Sequence, residues 1–161
     1  MAEHVVLVVA TSTGGTGAHV RSLAAGLAGR GVEVTVCGPR STEESFGFTA
    51  AGARFVPVEI AAGPRPYADT RAALALRAET DRAGLVHAHG LRAGLIAATA
   101  TASRTPYVVT WHNAALSRGP LRAVAAAAER IVARRADVSL CVSPDLEARV
   151  LSVGGRDVRP G

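Results

Sequence analysis

Val5-Val6-Leu7-Val8-Val9-Ala10 runs into Thr13-Gly14-Gly15-Thr16-Gly17-Ala18-His19 near the start of the chain. An unbroken apolar run of this length suits a strand buried on both faces. Glycines after it, opening a helical pattern, suit a tight strand-to-helix turn. From 17 to 30, Val20, Leu23, Ala24 and Leu27 fall on one helical face, and Gly29-Arg30-Gly31 carries a C-cap signal. A second strand, Val32 to Cys37, stops at Gly38-Pro39. Strand, glycine turn, helix and strand make one βαβ unit. It predicts a parallel sheet in which Val5 to Ala10 is central.

The alternation continues to the end. A short helix is expected over 42–51. Arg54-Phe55-Val56-Pro57-Val58 reads as an edge strand, where proline is tolerated. After the loop 61–66 come a helix over 67–82, the strand Gly84 to Ala88, a helix over 91–103 and the strand Tyr107 to Thr110. The longest helix spans 119–136, with Leu121, Val124, Ala128 and Ile131 as its core stripe. Val138 to Val142 is a strand, and Ser143 caps a helix with Pro144 at its first position. Leu146, Val150 and Val153 are expected to face inward. The last residues, 154–161, read as the start of one more strand before a Pro-Gly turn. No internal repeat or low-complexity linker interrupts the series. The expected fold is α/β, a Rossmann-like doubly wound parallel sheet of six or seven strands over residues 1–161.

In such a sheet, ligands bind in the crevice beyond the carboxyl ends of the strands. Four polar pieces come after apolar runs and fall there: the glycine segment, His87-Ala88-His89-Gly90, Thr110-Trp111-His112-Asn113 and Val142-Ser143-Pro144-Asp145. Free N–H groups and the helix dipole at the glycine segment suit an anion. The segment is not a dinucleotide fingerprint: the third glycine is replaced by Val20, and the second strand ends Val36-Cys37-Gly38 with no acidic residue. It is not a Walker loop, because no lysine comes after the glycines. His112, flanked by Trp111 and Asn113, can donate to a substrate hydroxyl or stabilise developing charge. Trp111 is expected to pack, and Ser143 to cap its helix. His87 and His89 are expected to point to opposite sides, His87 hydrogen-bonded near the core and His89 reaching the crevice. That arrangement argues against a shared metal, and no carboxylate or cysteine completes a ligand set nearby.

Composition narrows the classes. The chain has 161 residues, 48% hydrophobic, which suits one packed domain. All 18 basic residues are arginine, and the net charge is +5. Dispersed arginines among abundant alanines read as codon bias before nucleic-acid binding, and 4% aromatic content is too sparse for base stacking. Nucleic acid is therefore not an expected partner. Cys37 and Cys141 are too few for a disulfide framework, and a cytoplasmic setting is expected. The first residues carry no basic signal-peptide segment, and the apolar run Val5 to Ala10 is too short to span a bilayer.

Taken in order, these pieces resemble the N-terminal domain of family 4 retaining glycosyltransferases, which have the GT-B fold. The likeness is carried by Gly14 to Val20 with Leu23 and Ala24, Arg30 to Val36, Leu85 to Gly90, Pro106 to Asn113 and Ala136 to Ser143. The resemblance implies two facing Rossmann-like domains with the active site between them. It implies that this chain is the acceptor-side half, the donor-binding C-terminal domain being absent from it. By the same resemblance, Gly14, Gly15 and Gly17 lie near the diphosphate of a nucleotide-sugar donor, with His89 and Asn113 lining the same crevice. His112 contacts the transferred sugar as the catalytic candidate. The family uses no metal and no cofactor; helix termini and basic side chains neutralise the leaving group. The acceptor is left unidentified, since the loop 61–66 and the helix after it show no aromatic platform beyond Tyr67. Arg118, Arg122, Arg130, Arg134 and Arg135 on the longest helix suggest peripheral contact with anionic lipid. Rival readings are a nucleotide-binding oxidoreductase, a sugar-nucleotide epimerase, and a stand-alone Rossmann-like nucleotide- or sugar-binding module without catalysis.

Overall fold

The computed structural model describes residues 4–113 and 121–161. Seven strands form one sheet in the order β3-β2-β1-β4-β5-β6-β7, and every neighbouring pair is parallel. The strands are β1 (His4–Val9), β2 (Glu33–Gly38), β3 (Arg54–Pro57), β4 (Leu85–His89), β5 (Tyr107–Trp111), β6 (Val138–Cys141) and β7 (Val158–Pro160). Among the described residues, six helices connect them: α1 (Gly15–Ala28), α2 (Arg40–Phe46), α3 (Pro66–Thr80), α4 (Gly90–Ala100), α5 (Leu121–Arg135) and α6 (Pro144–Ser152). As expected, β1 is interior, between β2 and β4, and β3 is an edge. Helix ends move by a few residues from the sequence expectation. The largest shift is in α2, where Gly47 at φ +64° ends the helix well before residue 51.

Both faces of β1 are buried, which is why its apolar run does not alternate. Val5, Leu7 and Val9 pack with Val20 and Ala24 of α1 and with Phe48. Val6 and Val8 face the other way, into a larger cluster with Leu76 of α3, Ala97 of α4, Val132 of α5 and Leu146 of α6. A right-handed crossover from β1 to β2 puts α1 on one face. Crossovers running the other way from β4 put α4, α5 and α6 on the opposite face. The order reverses between β1 and β4, and a crevice opens at that switch point.

One expectation fails on α5. Val124 and Ile131 are 54% and 52% exposed, so they are not the core stripe. The buried face is Ala128, Glu129, Val132 and Ala133, with Ala136 just beyond the helix. Glu129 occupies a core position because Arg149 of α6 reaches it with three hydrogen bonds of 2.8–3.2 Å. The large apolar side chains of an alanine-rich helix drew the stripe to the wrong face. The side chain of Leu121, residues 119–120 and Arg118 lie outside the described residues.

Candidate functional site

A cavity of about 600 Å³ opens at the carboxyl edge of the sheet. Its floor is the end of β1 with the residues just beyond it, Val9 to Ser12, and Thr16 from the first turn of α1. His89 and Gly90 enter from the end of β4, and His112 and Asn113 from the end of β5. Leu91, Arg92 and Leu95 of α4, Val124, Ala125 and Ala128 of α5, and Ala62 and Pro64 complete the wall. That wall is held from behind. Thr11 donates both its N–H and its hydroxyl to the Ile60 carbonyl, at 2.9 and 3.1 Å. Arg92 donates from Nε to the Ala61 carbonyl at 3.0 Å and pairs with Asp69 of α3 at 2.6 Å. A second cavity of about 500 Å³ shares His112 and Asn113 and extends to Ser143, Asp145 and Arg149.

Four histidines converge beside the first cavity. The rings of His87 and His89 stack at 4.2 Å between centroids. This corrects the expectation that they point to opposite sides. Residues two apart on a strand share a face, and these two share the face of α1. Thr110 of β5 and His112, one residue past its end, have the same parity and lie on that face as well. His87 bonds Thr110 Oγ1 through Nε2 at 2.7 Å, and His89 Nδ1 lies 3.4 Å from His112 Nε2. His19, four residues into α1, brings its ring within 5.5 Å of His89 and 5.4 Å of His112, centroid to centroid. Gly90, at φ +83°, lets α4 start directly after His89.

Burial above all keeps three of these rings, His87, His89 and His112, uncharged near neutral pH. Burial, then the charges of His19 and His112, lowers the His87 pKa to about 4. Burial, then its three histidine neighbours, holds His89 well below the ordinary imidazole range. His112 is lowered by burial and by His19. Among the described residues, no group of three or more His, Cys, Asp or Glu side chains is arranged to hold a metal ion.

The other candidate residues separate by role. Gly14 and Gly15 are exposed and a Cβ on either would meet nothing within 4 Å, but neither lines the cavity, which Thr16 reaches from the same turn. Gly17 does not line the cavity; its missing side chain makes room for the Phe46 ring, which a Cβ would strike at 2.1 Å. Ser143 accepts the Leu146 N–H at 3.4 Å and is a helix cap, as expected. Trp111 packs in the core, 2% exposed. His19 and Arg92 were missed by sequence reasoning. His19 had a signal, one turn along α1 from the glycines on the side that meets β4. Arg92 had none, because its partners Ala61 and Asp69 are distant in sequence.

The molecule is thus an open doubly wound parallel sheet with a polar crevice at its switch point, lined by the N-terminal turn of its first helix and by histidines. The chain belongs to the glycosyl transferase 4-like domain family, whose model matches residues 14–160. No protein of curated function matches the sequence. Among solved structures, the fold is similar to Anabaena HepE in complex with UDP and glucose, with TM-score 0.68 and 15% identity over 96% of this chain and 43% of that one. It is also similar to Acinetobacter baumannii MurG, with TM-score 0.59 and 18% identity over 88% and 42%. The kitacinnamycin glycosyltransferase gives TM-score 0.54 and 20% identity over 89% and 46%. The chain spans less than half the length of each. The neighbours are GT-B glycosyltransferases, and the fold expectation drawn from the motifs holds.

Proposed function

We propose that this chain is the acceptor-side domain of a glycosyltransferase. The full enzyme moves a sugar from a nucleotide-sugar donor to an acceptor hydroxyl with retention of configuration. One observation carries the reading: in a chain of this family, Thr16 in the first turn of α1, next to the glycines, and the histidines after β4 and β5 line one cavity. Open N–H groups at Gly14 and Gly15, with the α1 dipole, suit the donor diphosphate. His112 touches the transferred sugar, and His89 and Asn113 complete the wall. Gly17 supports the turn by its packing against Phe46. HepE was solved with UDP-glucose, which makes that donor the first to try.

Transition-state stabilisation in such a cleft needs groups from both faces. A second Rossmann-like half therefore supplies most donor contacts, and residues 1–161 alone transfer no sugar. Helix termini and arginines offset leaving-group charge, so transfer needs no divalent metal. A nucleotide-sugar donor and the free thiols Cys37 and Cys141 suit a cytoplasmic reaction. No helix of the described residues is long and apolar enough to cross a membrane. Exposed Arg122, Arg130 and Arg134 on α5 instead suit peripheral contact with anionic lipid.

The test is to join the chain to a donor-binding half and follow transfer from UDP-glucose and other nucleotide sugars in the presence of chelator. The anomeric configuration of the product is then read by NMR. Transfer with retention is expected, with at least a tenfold loss in His112→Ala. An inverted product, or full activity of His112→Ala, overturns the assignment. Robust turnover by residues 1–161 alone would defeat the claim of a missing half.

A further inference from the structure

His89 and His112 meet nitrogen to nitrogen, Nδ1 to Nε2, at 3.4 Å. A neutral imidazole carries one N–H and one lone pair. The contact is a hydrogen bond only when one ring donates and the other accepts, and two arrangements satisfy that. The far side of His89 chooses between them. Its Nε2 is buried and has no hydrogen-bond partner among the described residues, and the residue is 2% exposed. If His112 donated, the only proton on His89 would sit on Nε2, a buried N–H with no acceptor. If His89 donates from Nδ1, Nε2 holds only a lone pair. A buried orphan N–H is the rarer fault in folded proteins.

We infer that His89 is a positioning residue that donates its Nδ1–H to His112 and so locks His112 in the tautomer with its proton on Nδ1. The plane of His89 is itself fixed, because its ring stacks on His87, and His87 is tied to Thr110. The Nδ1 of His112 has no hydrogen-bond partner among the described residues, and the half-buried ring lines the cavity. The locked ring offers a ligand a donor and keeps its lone pair occupied. For the chemistry, this rests on the glycosyltransferase reading. His112 then donates to an oxygen of the sugar or diphosphate and removes no proton from the acceptor hydroxyl. Deprotonation falls to another group.

The test uses residues 1–161 with isotope-labelled histidine ring nitrogens at neutral pH. Two-bond proton–nitrogen NMR correlations distinguish a protonated ring nitrogen from a bare one. His112 should carry its proton on Nδ1, and so should His89. His89→Asn keeps an amide N–H where Nδ1 stood, so His112 should keep its tautomer. His89→Leu removes the donor and should return His112 to the Nε2–H form that histidine prefers in water. A wild-type His112 protonated on Nε2 overturns the inference, as does a His112 tautomer unchanged in His89→Leu. Should a variant fail to fold, the wild-type spectrum decides. The measurement needs no donor, acceptor or turnover, so its failure leaves the glycosyltransferase reading standing, and a failed transfer assay leaves the tautomer standing.

Discussion

Lowering the pH from 7 to 5 should destabilise the domain through His87. The residue is 8% exposed, and burial, then the charges of His19 and His112, takes its pKa to about 4. In the unfolded chain the ordinary value of about 6.5 returns. Between those values the unfolded state binds more protons than the folded one. Stability is therefore full above pH 6.5 and falls as the pH drops toward 4. At pH 5 an unfolded histidine of this kind is about 97% protonated and the folded one about 9%, and the linkage integral comes to about 2 kcal/mol. That is a large share of a typical domain stability of about 5–15 kcal/mol. With a urea slope of about 2 kcal/mol per molar, the unfolding midpoint should fall by about 1 M from His87 alone. His89, also depressed, adds to the fall in the same window. The assay is urea unfolding at pH 7 and pH 5, on the wild type and on His87→Gln, which does not titrate there. The variant should start lower at pH 7 but lose about 1 M less on acidification. A wild-type midpoint unchanged between pH 7 and 5, or an equal fall in both proteins, would refute the reasoning.

Tyr107 is fully buried and donates its hydroxyl to the Gly94 carbonyl at 2.6 Å. Tyr107→Phe should cost about 1 kcal/mol and lower Tm by about 2–4 °C in calorimetry; no change in Tm would mean the bond contributes nothing net. Burial pushes the Cys37 thiol up to about 12 and Cys141 to about 11. Neither should react with iodoacetamide in the folded protein, and both should react in urea; rapid labelling of the native protein would contradict their burial. The α5 surface should sediment with anionic phospholipid vesicles and be released by salt, each arginine near the surface contributing about 1 kcal/mol. Arg130→Glu with Arg134→Glu should reduce the bound fraction. Arg135 is unsuitable for this test because it donates to the Thr101 and Ala102 carbonyls at 3.1 and 3.0 Å. Equal sedimentation with neutral and anionic vesicles would count against lipid contact.

The parallel sheet was legible because its signal is local. Val5 to Ala10 is apolar without a break, and the period of the pattern changes from strand to helix wherever the chain turns. The core face of α5 was not legible, and the reason is specific. Its buried face runs through Glu129, which the sequence marks as polar, while Val124 and Ile131 sit on the exposed side. The approach of Arg149, twenty positions along the chain, helps make a carboxylate tolerable there. Arg92 was hidden for the same reason, since its role depends on Ala61 and Asp69.

The histidine cluster was legible, and it was misread. His87 and His89 share a parity, and that alone places them on one face of β4. The register His89↔Thr110 then brings His112, just past the end of the next strand, alongside. Period two along a strand and the pairing register across it are enough to assemble three of the four rings. Only His19 needs the packing of a helix. The cluster holds together for a chemical reason. His87, His89 and His112 are uncharged near neutral pH, so aromatic surface can pack where charges could not, and the His89–His112 hydrogen bond ties two of the rings together. The crevice is thus built in part from buried, uncharged rings, and its sensitivity to acid is the other side of that burial.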